Sequence, residues 1–397
     1  MNKNPINNRK AKVLWLWHAA VVAEYRKPLS VLGRCPDLDV TLLIPKRWPE
    51  RAGQMVEAEP AVDSSYRVVA ARTWFTGFYY IYLFPSLLYQ LLRYRPDIIY
   101  CYEEAHTFIA ALVLLLRRVF LPESRVLLYA AQNIKKRYPL PFRLFERYCF
   151  RRADAILACG TLVAQTLRSK GYRGALRVVA LPTDTAAFAP NAALRAEGRE
   201  SLGLGDDALV IGYAGKHVEE KGLRTLMEAF GAAAQGRDNT YLVLAGGGAL
   251  KAELQRRAAS LGLAERVHFP GVIHNSELPA FMNALDIFVL PSETRSNWRE
   301  QFGRVVVEAM SCGVPVIGSD SGEIPVVLGD TGLVFHEAAA GELARALAQL
   351  LDEPAKRALL SRKGRERVLR LFSVEQVATQ HYAIYCDHLP LAGDLAG

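Results

Sequence analysis

Cysteine is scarce and irregularly placed. The six residues Cys35, Cys101, Cys149, Cys159, Cys312 and Cys386 are scattered over 397 positions. They show neither the close pairing of a zinc site nor the density of a small secreted scaffold, and so read as reduced, mostly buried thiols. Clean apolar runs of membrane-span length are also missing. The nearest, residues 74–92 (WFTGFYYIYLFPSLLYQLL), is broken by Gly77 and Pro85 and carries several tyrosines, which disfavours a span. The opening MNKNPINNRK and the following VLWLWHAAVV contain no small-residue cleavage site, so a buried strand is expected there rather than a secretory signal, and the chain is expected to be cytoplasmic. No repeat of solenoid length occurs. No helix-turn-helix, zinc-finger or RNA-binding motif accompanies the positive charge, and nucleic acid is not an expected partner.

What is present is an uneven charge. The formal net charge is +9, and roughly +14 of it falls in residues 1–190, leaving about −5 for the rest. Such asymmetry speaks of partners. Residues 135–152, KKRYPLPFRLFERYCFRR, interleave Lys and Arg with Phe, Tyr and Leu. A helix of this pattern either lies at the inner face of the cytoplasmic membrane against anionic lipid or turns its apolar stripe to its own core.

Short apolar runs alternate with helical periodicity along nearly the whole chain. VLWLW, VTLLIP, IIYCY, VLLYAA and AILAC form one series; LVIGYAG, YLVLAGGG, VHFPG, DIFVLP, VPVIGS and LVF form a second. This is the βαβ signature of parallel sheets. The pattern predicts an α/β protein of two doubly wound Rossmann-like domains, residues 1–189 and 190–373, with 374–397 packing back on the first. Ligands of such sheets bind at the carboxyl ends of strands, here expected to face a cleft.

The densest chemistry lies in residues 291–325, PSETRSNWREQFGRVVVEAMSCGVPVIGSDSGEIP. Gly303 precedes the helical run RVVVEAMSC, so the free N–H groups and positive end of that helix can meet a pyrophosphate. Glu300 lies in the loop before the helix, and Glu308 about a turn inside, where a carboxylate can accept two hydrogen bonds from a ribose diol. The plainer alternative pairs Glu308 with Arg304, a contact worth about 0.3–0.5 kcal/mol, although VVVEAM places Glu308 among apolar residues. A second passage, YAGKHVEEKGLRTLMEAF, puts Gly215, Lys216 and Lys221 at a strand end before a helix. Two lysines there can stabilise a diphosphate leaving group as a metal would, or simply be solvated.

These stretches, with LAGGG, VHFPGVIHNSELPAFMNALDIFVLPSE and EQFGRVVVEAMSCGVPVIGSDSGEIPVVLGDTGLVF, resemble the donor domain of family 4 of the retaining glycosyltransferases, which have the GT-B fold. The resemblance covers residues 209–336 strongly. It implies that Glu300 contacts the transferred sugar and Glu308 the ribose, and that Lys216 and Lys221 stand for the family's basic pair, the first a point charge where Arg is common. It also implies that backbone at Phe302, Gly303 and Arg304 grips sugar and phosphate, and that the segment with Val272 lines the base, with Gly215 close to the donor. The first half is fainter, carried by PDIIYCYEEAHTF, RRADAILACG and LPTDTAAFAP. It lacks the glycine-rich loop after the first strand, replaced by WHAAVVAEYRKPL, and the histidine of the fifth-strand region, where Gln132 and Asn133 stand.

The expected function is therefore metal-independent, cofactor-free transfer of a hexose-type sugar from a UDP-, GDP- or ADP-linked donor to a glycan or lipid-linked acceptor of envelope polysaccharide synthesis. Glu300, Lys216 and Lys221 would be catalytic; His18, Arg26, Glu104, His106, Gln132 and Asn133, at strand ends of the first half, are acceptor-side candidates. The rivals are a non-catalytic GT-B membrane-associated binding subunit, a GT-B nucleotide-sugar epimerase or phosphorylase, and a metal-dependent transferase using Asp37 and Asp39 as an Asp-x-Asp motif, although aspartates are expected in that turn anyway.

Overall fold

The computed structural model describes residues 9–49, 54–61 and 63–389; the segments 1–8 and 390–397 of the basic opening and the C-terminal stretch lie outside them. The chain forms two compact units, one running to Ala180 and resuming at Val374, the other Leu181–Ser373.

The first unit contains, in chain order, β1 (Ala11–Leu16), α1 (Lys27–Gly33), β2 (Leu38–Pro45), the hairpin strands β3 (Arg47–Pro49) and β4 (Met55–Glu57), β5 (Arg67–Ala71), α2 (Leu87–Tyr94), β6 (Ile98–Cys101) and α3 (Phe108–Phe120). β7 (Arg125–Ala130), α4 (Phe142–Arg152), β8 (Ala155–Ala158), α5 (Thr161–Ser169) and β9 (Ala175–Val178) follow. Its parallel sheet has the order β5-β2-β1-β6-β7-β8-β9. β6 and β8 are buried at every position, as strands covered on both faces must be, which is why they read as unbroken apolar runs.

The second unit contains α6 (Ala192–Leu202), β10 (Leu209–Ala214), α7 (Leu223–Ala233), β11 (Thr240–Ala245), α8 (Lys251–Ser260), β12 (Val267–Gly271), α9 (Leu278–Ala284) and β13 (Ile287–Leu290). It continues through α10 (Arg304–Ser311), β14 (Val316–Ser319), α11 (Ile324–Leu328), β15 (Leu333–Phe335), α12 (Ala340–Asp352) and α13 (Pro354–Leu371). The sheet order is β12-β11-β10-β13-β14-β15, all parallel. α6 starts under the side chain of Asn191, which accepts from Ala193 N and Leu194 N at 2.9 and 3.1 Å, an N-cap. It stops at Gly203 in the left-handed conformation.

The unit boundary lies earlier than residue 189, for a definite reason. Residues 181–190 are already bonded into the second unit: Thr183 N donates to Phe372 O at 2.8 Å, Ser311 Oγ to Phe188 O at 2.5 Å and Asn283 Nδ2 to Ala189 O at 3.1 Å. Residues 74–92 form no span. They make a loop closed by a Trp74–Leu83 bridge and then the short α2, and among the described residues no helix is long and apolar enough to cross a membrane.

The last helix, α14 (Val374–His388), packs against α1 and completes the core of the first unit. Its Val377, Ala378, Ile384 and Tyr385 cluster with Trp15, Leu42 and Tyr100. His381 enters that core with its Nδ1 at 2.9 Å from Val377 O and its ring 5.3 Å from Trp15. Burial pushes its pKa down to about 4, because the imidazolium would lose its hydration there. The unfolded chain therefore binds a proton that the folded one refuses. The stability linked to neutral His381 is fully present above pH about 6.5 and is lost as pH falls towards 4. His381→Leu should flatten this dependence: between pH 7.5 and pH 5, urea unfolding should show the wild type losing about 2 kcal/mol relative to the variant.

Candidate functional site

In each sheet the strand order reverses beside the first strand of the unit, between β1 and β6 and between β10 and β13. At such a point the loops leave the carboxyl ends in opposite directions and open a crevice. Gly215, Lys216, Lys221, Glu300, Phe302, Gly303, Arg304 and Glu308 lie on the loops and helix around the second of these places, and His18, Glu104 and His106 on the loops around the first.

In the second unit, β10 delivers Gly215 and Lys216, and a short helical turn then carries Lys221 to Gly222. β13 delivers Ser292 and the loop to Glu300. The two loops meet through an ion pair: Lys221 Nζ lies 2.7 Å from Glu300 Oε2, with side chains only 19% and 12% exposed. Ser292 Oγ donates to the same oxygen at 2.9 Å. Lys221 also sits 4.6 Å above the Trp298 ring, where the ring face favours a cation. Lys216 is exposed. The Glu300 loop is fixed from behind, since Glu300 O accepts from Glu323 N at 3.3 Å and Ser292 O from Ser319 Oγ at 2.5 Å.

Phe302 and Gly303 follow, both buried, and Gly303 adopts φ 79° at the start of α10. That left-handed turn aims the first N–H groups of α10, from Arg304 onward, out of the helix without a side-chain cap, an anion-receptive arrangement. Glu308, one turn in, is buried at 8% exposure. Val272, after β12, is 76% exposed.

The glycine run 246–248 is packed against the Lys216 loop. Gly246 N donates to Gly271 O at 2.6 Å, and a Cβ at Gly246, whose φ is 129°, would stand 1.8 Å from Gly215 O. His217 is wholly buried beneath this crossing, its ring nitrogens without hydrogen-bond partners. Burial, and then Lys251, lower its pKa, so it is held neutral.

In the first unit the acceptor-side candidates separate. His18, after β1, pairs through Nδ1 with Glu103 Oε1 at 2.6 Å. Glu103, missed in the sequence, is the buried member of the Glu103-Glu104 doublet after β6. Arg26 is fully buried and spends Nε, Nη1 and Nη2 on the carbonyls of Ala20, Glu59, Pro60 and Val21 at 2.6–2.8 Å. It ties its own loop together with four of its five N–H donors. Glu104 accepts from Ala131 N and Gln132 N at 2.7 and 3.0 Å, and burial raises its pKa to about 7. His106 stacks on Tyr138 at 3.9 Å, and burial lowers its pKa to about 3. Gln132 accepts from Ile134 N at 3.2 Å, and Asn133 is buried. These four belong to the packing of the loop after β7.

Asp37 accepts from Tyr382 Oη at 2.5 Å, and Asp39 lies 3.7 Å from Arg67. Among the described residues no three His, Cys, Asp or Glu side chains gather as metal ligands.

Two family models match this chain: "Glycosyl transferases group 1" over residues 195–367 and "Glycosyltransferase Family 4" over residues 37–187. It is 32% identical over 271 residues to the 2-deoxystreptamine glucosyltransferase of Streptomyces kanamyceticus, covering 66% of this chain and 68% of that one. The chain belongs to glycosyltransferase family 4. This glycosyltransferase is also 35% identical to the GDP-mannose-dependent alpha-(1-6)-phosphatidylinositol monomannoside mannosyltransferase of Mycolicibacterium smegmatis, a match that takes in 53% of this chain and only 57% of the relative. The structure of Anabaena Alr3699/HepE in complex with UDP superposes with a TM-score of 0.72 at 17% identity, covering 95% of this chain and 100% of that one. The glycosyltransferase thus has the GT-B fold.

The crossing at Gly246 gives a test. Gly236 also has a positive φ, 70°, but open space around its Cβ position. Gly236→Ala should cost only the local strain, about 1 kcal/mol, whereas Gly246→Ala should cost well over 2 kcal/mol by urea unfolding, because backbone itself must move.

Proposed function

We propose that this glycosyltransferase is a retaining enzyme that moves a hexose-type sugar from a UDP-, GDP- or ADP-linked donor to a hydroxyl of a glycan or lipid-linked acceptor in envelope glycan assembly. The observation that carries the proposal is the Lys221–Glu300 pair beside the start of α10. It puts a largely buried cation, a carboxylate and the N-terminal end of a helix with no side-chain cap at one switch point, which matches a sugar joined to a diphosphate better than either part alone. Glu308 binds the ribose, Glu300 the hydroxyls of the transferred sugar, and the backbone at Phe302, Gly303 and Arg304 the phosphates. Gly215 and Val272 border the donor.

As the anomeric C–O bond breaks, its electron pair passes to the diphosphate. Lys216, Lys221 and the end of α10 stabilise that charge, the part a metal ion would otherwise play, and no metal or cofactor is needed. The acceptor hydroxyl attacks from the face the diphosphate leaves, and its proton passes to the departing diphosphate oxygen. The donor and acceptor classes are supported by the named activities of the relatives, a glucosyltransferase and a GDP-mannose-dependent phosphatidylinositol mannoside mannosyltransferase.

The acceptor side works at the inner face of the cytoplasmic membrane. This is supported by the exposed Trp74, Phe75 and Phe78, the exposed Leu140 and Leu144, and the exposed Lys135, Lys136 and Arg137 in the same unit. Aromatic tips and cations together suit an anionic headgroup layer.

Three measurements check these statements. Saturation-transfer NMR without metal, on UDP-, GDP- and ADP-sugars, should find one donor that binds, and Glu308→Ala and Lys221→Ala should each weaken it. With that donor, Lys221→Ala should slow transfer about 10²–10³-fold, and a chelator should leave the wild type unchanged. Binding without turnover would favour the non-catalytic subunit, and sugar inversion without added acceptor the epimerase. In flotation with phosphatidylglycerol vesicles, replacing Lys135, Lys136 and Arg137 by Ser should lower binding about 10²-fold, at about 1 kcal/mol per lost cation.

A further inference from the structure

Glu103 accepts three hydrogen bonds at one oxygen. His18 N–H donates to Oε1 at 3.1 Å, Tyr82 O–H at 2.7 Å, and the His18 ring meets the same atom through Nδ1 at 2.6 Å. A backbone amide can only donate, and the Tyr82 phenol, its pKa pushed well above the ordinary value by burial, donates too. With two donors already on it, Oε1 is an acceptor, and in this arrangement Nδ1 carries the ring hydrogen. With Nδ1–H donating to Oε1, the singly protonated ring carries its lone pair on Nε2.

That lone pair has no partner among the described residues, and the side chain is 18% exposed. Around it stand the rings of Trp48, Tyr79 and Tyr82, with centroids at 4.8, 5.2 and 5.8 Å. Glu103 itself is 1% exposed. A buried carboxyl of this kind is costly, and three donors at one oxygen offset part of the cost.

From this geometry we infer that His18, set by Glu103, is the residue that accepts a hydrogen bond from a neutral hydroxyl of the acceptor sugar, and so selects a hydroxylated ring over an anionic group at this point. The inference rests on the first unit's holding the acceptor. The lone pair on Nε2 disfavours a phosphate or carboxylate, which would bring a further acceptor against it. The aromatic walls thin out water, so a hydroxyl that fits gains a hydrogen bond that solvent does not replace, and an analogue lacking it leaves Nε2 unsatisfied. His18 touches the substrate in this arrangement; Glu103 is a positioning residue acting through it.

The test pairs enzyme variants with acceptor variants. The wild type is assayed with UDP-glucose and GDP-mannose against octyl glucoside, mannoside and galactoside, and the best pair is carried forward with monodeoxy versions of that glycoside. One deoxy position should cost the wild type tenfold or more in acceptor kcat/KM, mostly in KM, and should cost His18→Ala nothing further. Glu103→Gln, which keeps an acceptor oxygen for Nδ1–H, should stay within about threefold of the wild type, and Glu103→Leu should behave as His18→Ala. Donor affinity, measured by NMR, should be unchanged in all variants that remain folded.

If the wild type transfers sugar but every deoxy penalty survives in His18→Ala, the inference fails alone. If Glu103→Gln behaves as Glu103→Leu while the wild type stays active, the tautomer argument fails. If the wild type transfers to none of these glycosides, the assignment of the acceptor to this unit fails and takes the inference with it.

Discussion

At the β10 edge two turns of backbone run closer together than any side chain allows, and the chemistry of the second unit hangs on that approach. Gly215 and Gly246 touch main chain to main chain, and Gly222 turns against Pro291 O, where a Cβ would stand 1.9 Å away. Between these contacts the chain has little freedom in where it can put Lys216 and Lys221. The lysine that the second contact delivers reaches Glu300 from the neighbouring loop, so the ion pair links the two halves of the switch point. A long flexible side chain becomes a located charge because the backbone beneath it is located first. Lys221 is then held on three sides, by Glu300, by the ring of Trp298 and by its own short turn.

The first unit meets the same geometric problem without glycine. Its β1 loop is long and is tied from inside by Arg26, whose guanidinium takes four backbone carbonyls. Only Arg has enough donors in a fixed fork to do this. With the loop held so, His18 is left against Glu103. The two units thus reach an ordered crevice by different means, one by bare backbone contact, the other by a buried cation that substitutes for missing turns.

The sequence was most legible where parallel pairing forces a run to be apolar throughout. VLWLW, IIYCY, AILAC, DIFVLP and the other named runs of both series all lie on strands of the two sheets. The edge strands β5 and β9 were not legible, because RVVAA and ALRV are half exposed and carry arginine, so burial leaves only a weak pattern in them. On the site, charge and glycine in one motif placed the Lys221 loop and the start of α10 at one sheet edge. Their pairing partners, Ser292 and Trp298, carry no motif of their own. On the acceptor side the position of a residue at a strand end gave the right neighbourhood and little else. Glu103 and Glu104 are adjacent and chemically alike; which of them meets His18 and which caps the loop after β7 depends on the twist of the chain past β6, which no composition encodes. Arg26 looked like a ligand for the opposite reason: a buried arginine bonded to its own loop and a substrate-binding one are the same letter.

The helix that closes the first unit comes from the last part of the sequence, after the whole of the second unit. Trp15, Leu42 and Tyr100 have no Val377 or Tyr385 beside them until those residues have been made. On a ribosome the stretch Leu181–Ser373 is therefore complete, and able to settle, while the earlier-made strands still present an uncovered face. The order in which the two units are completed in synthesis is the reverse of the order in which they are begun. The first unit is the one whose core receives its last members only when synthesis is nearly done.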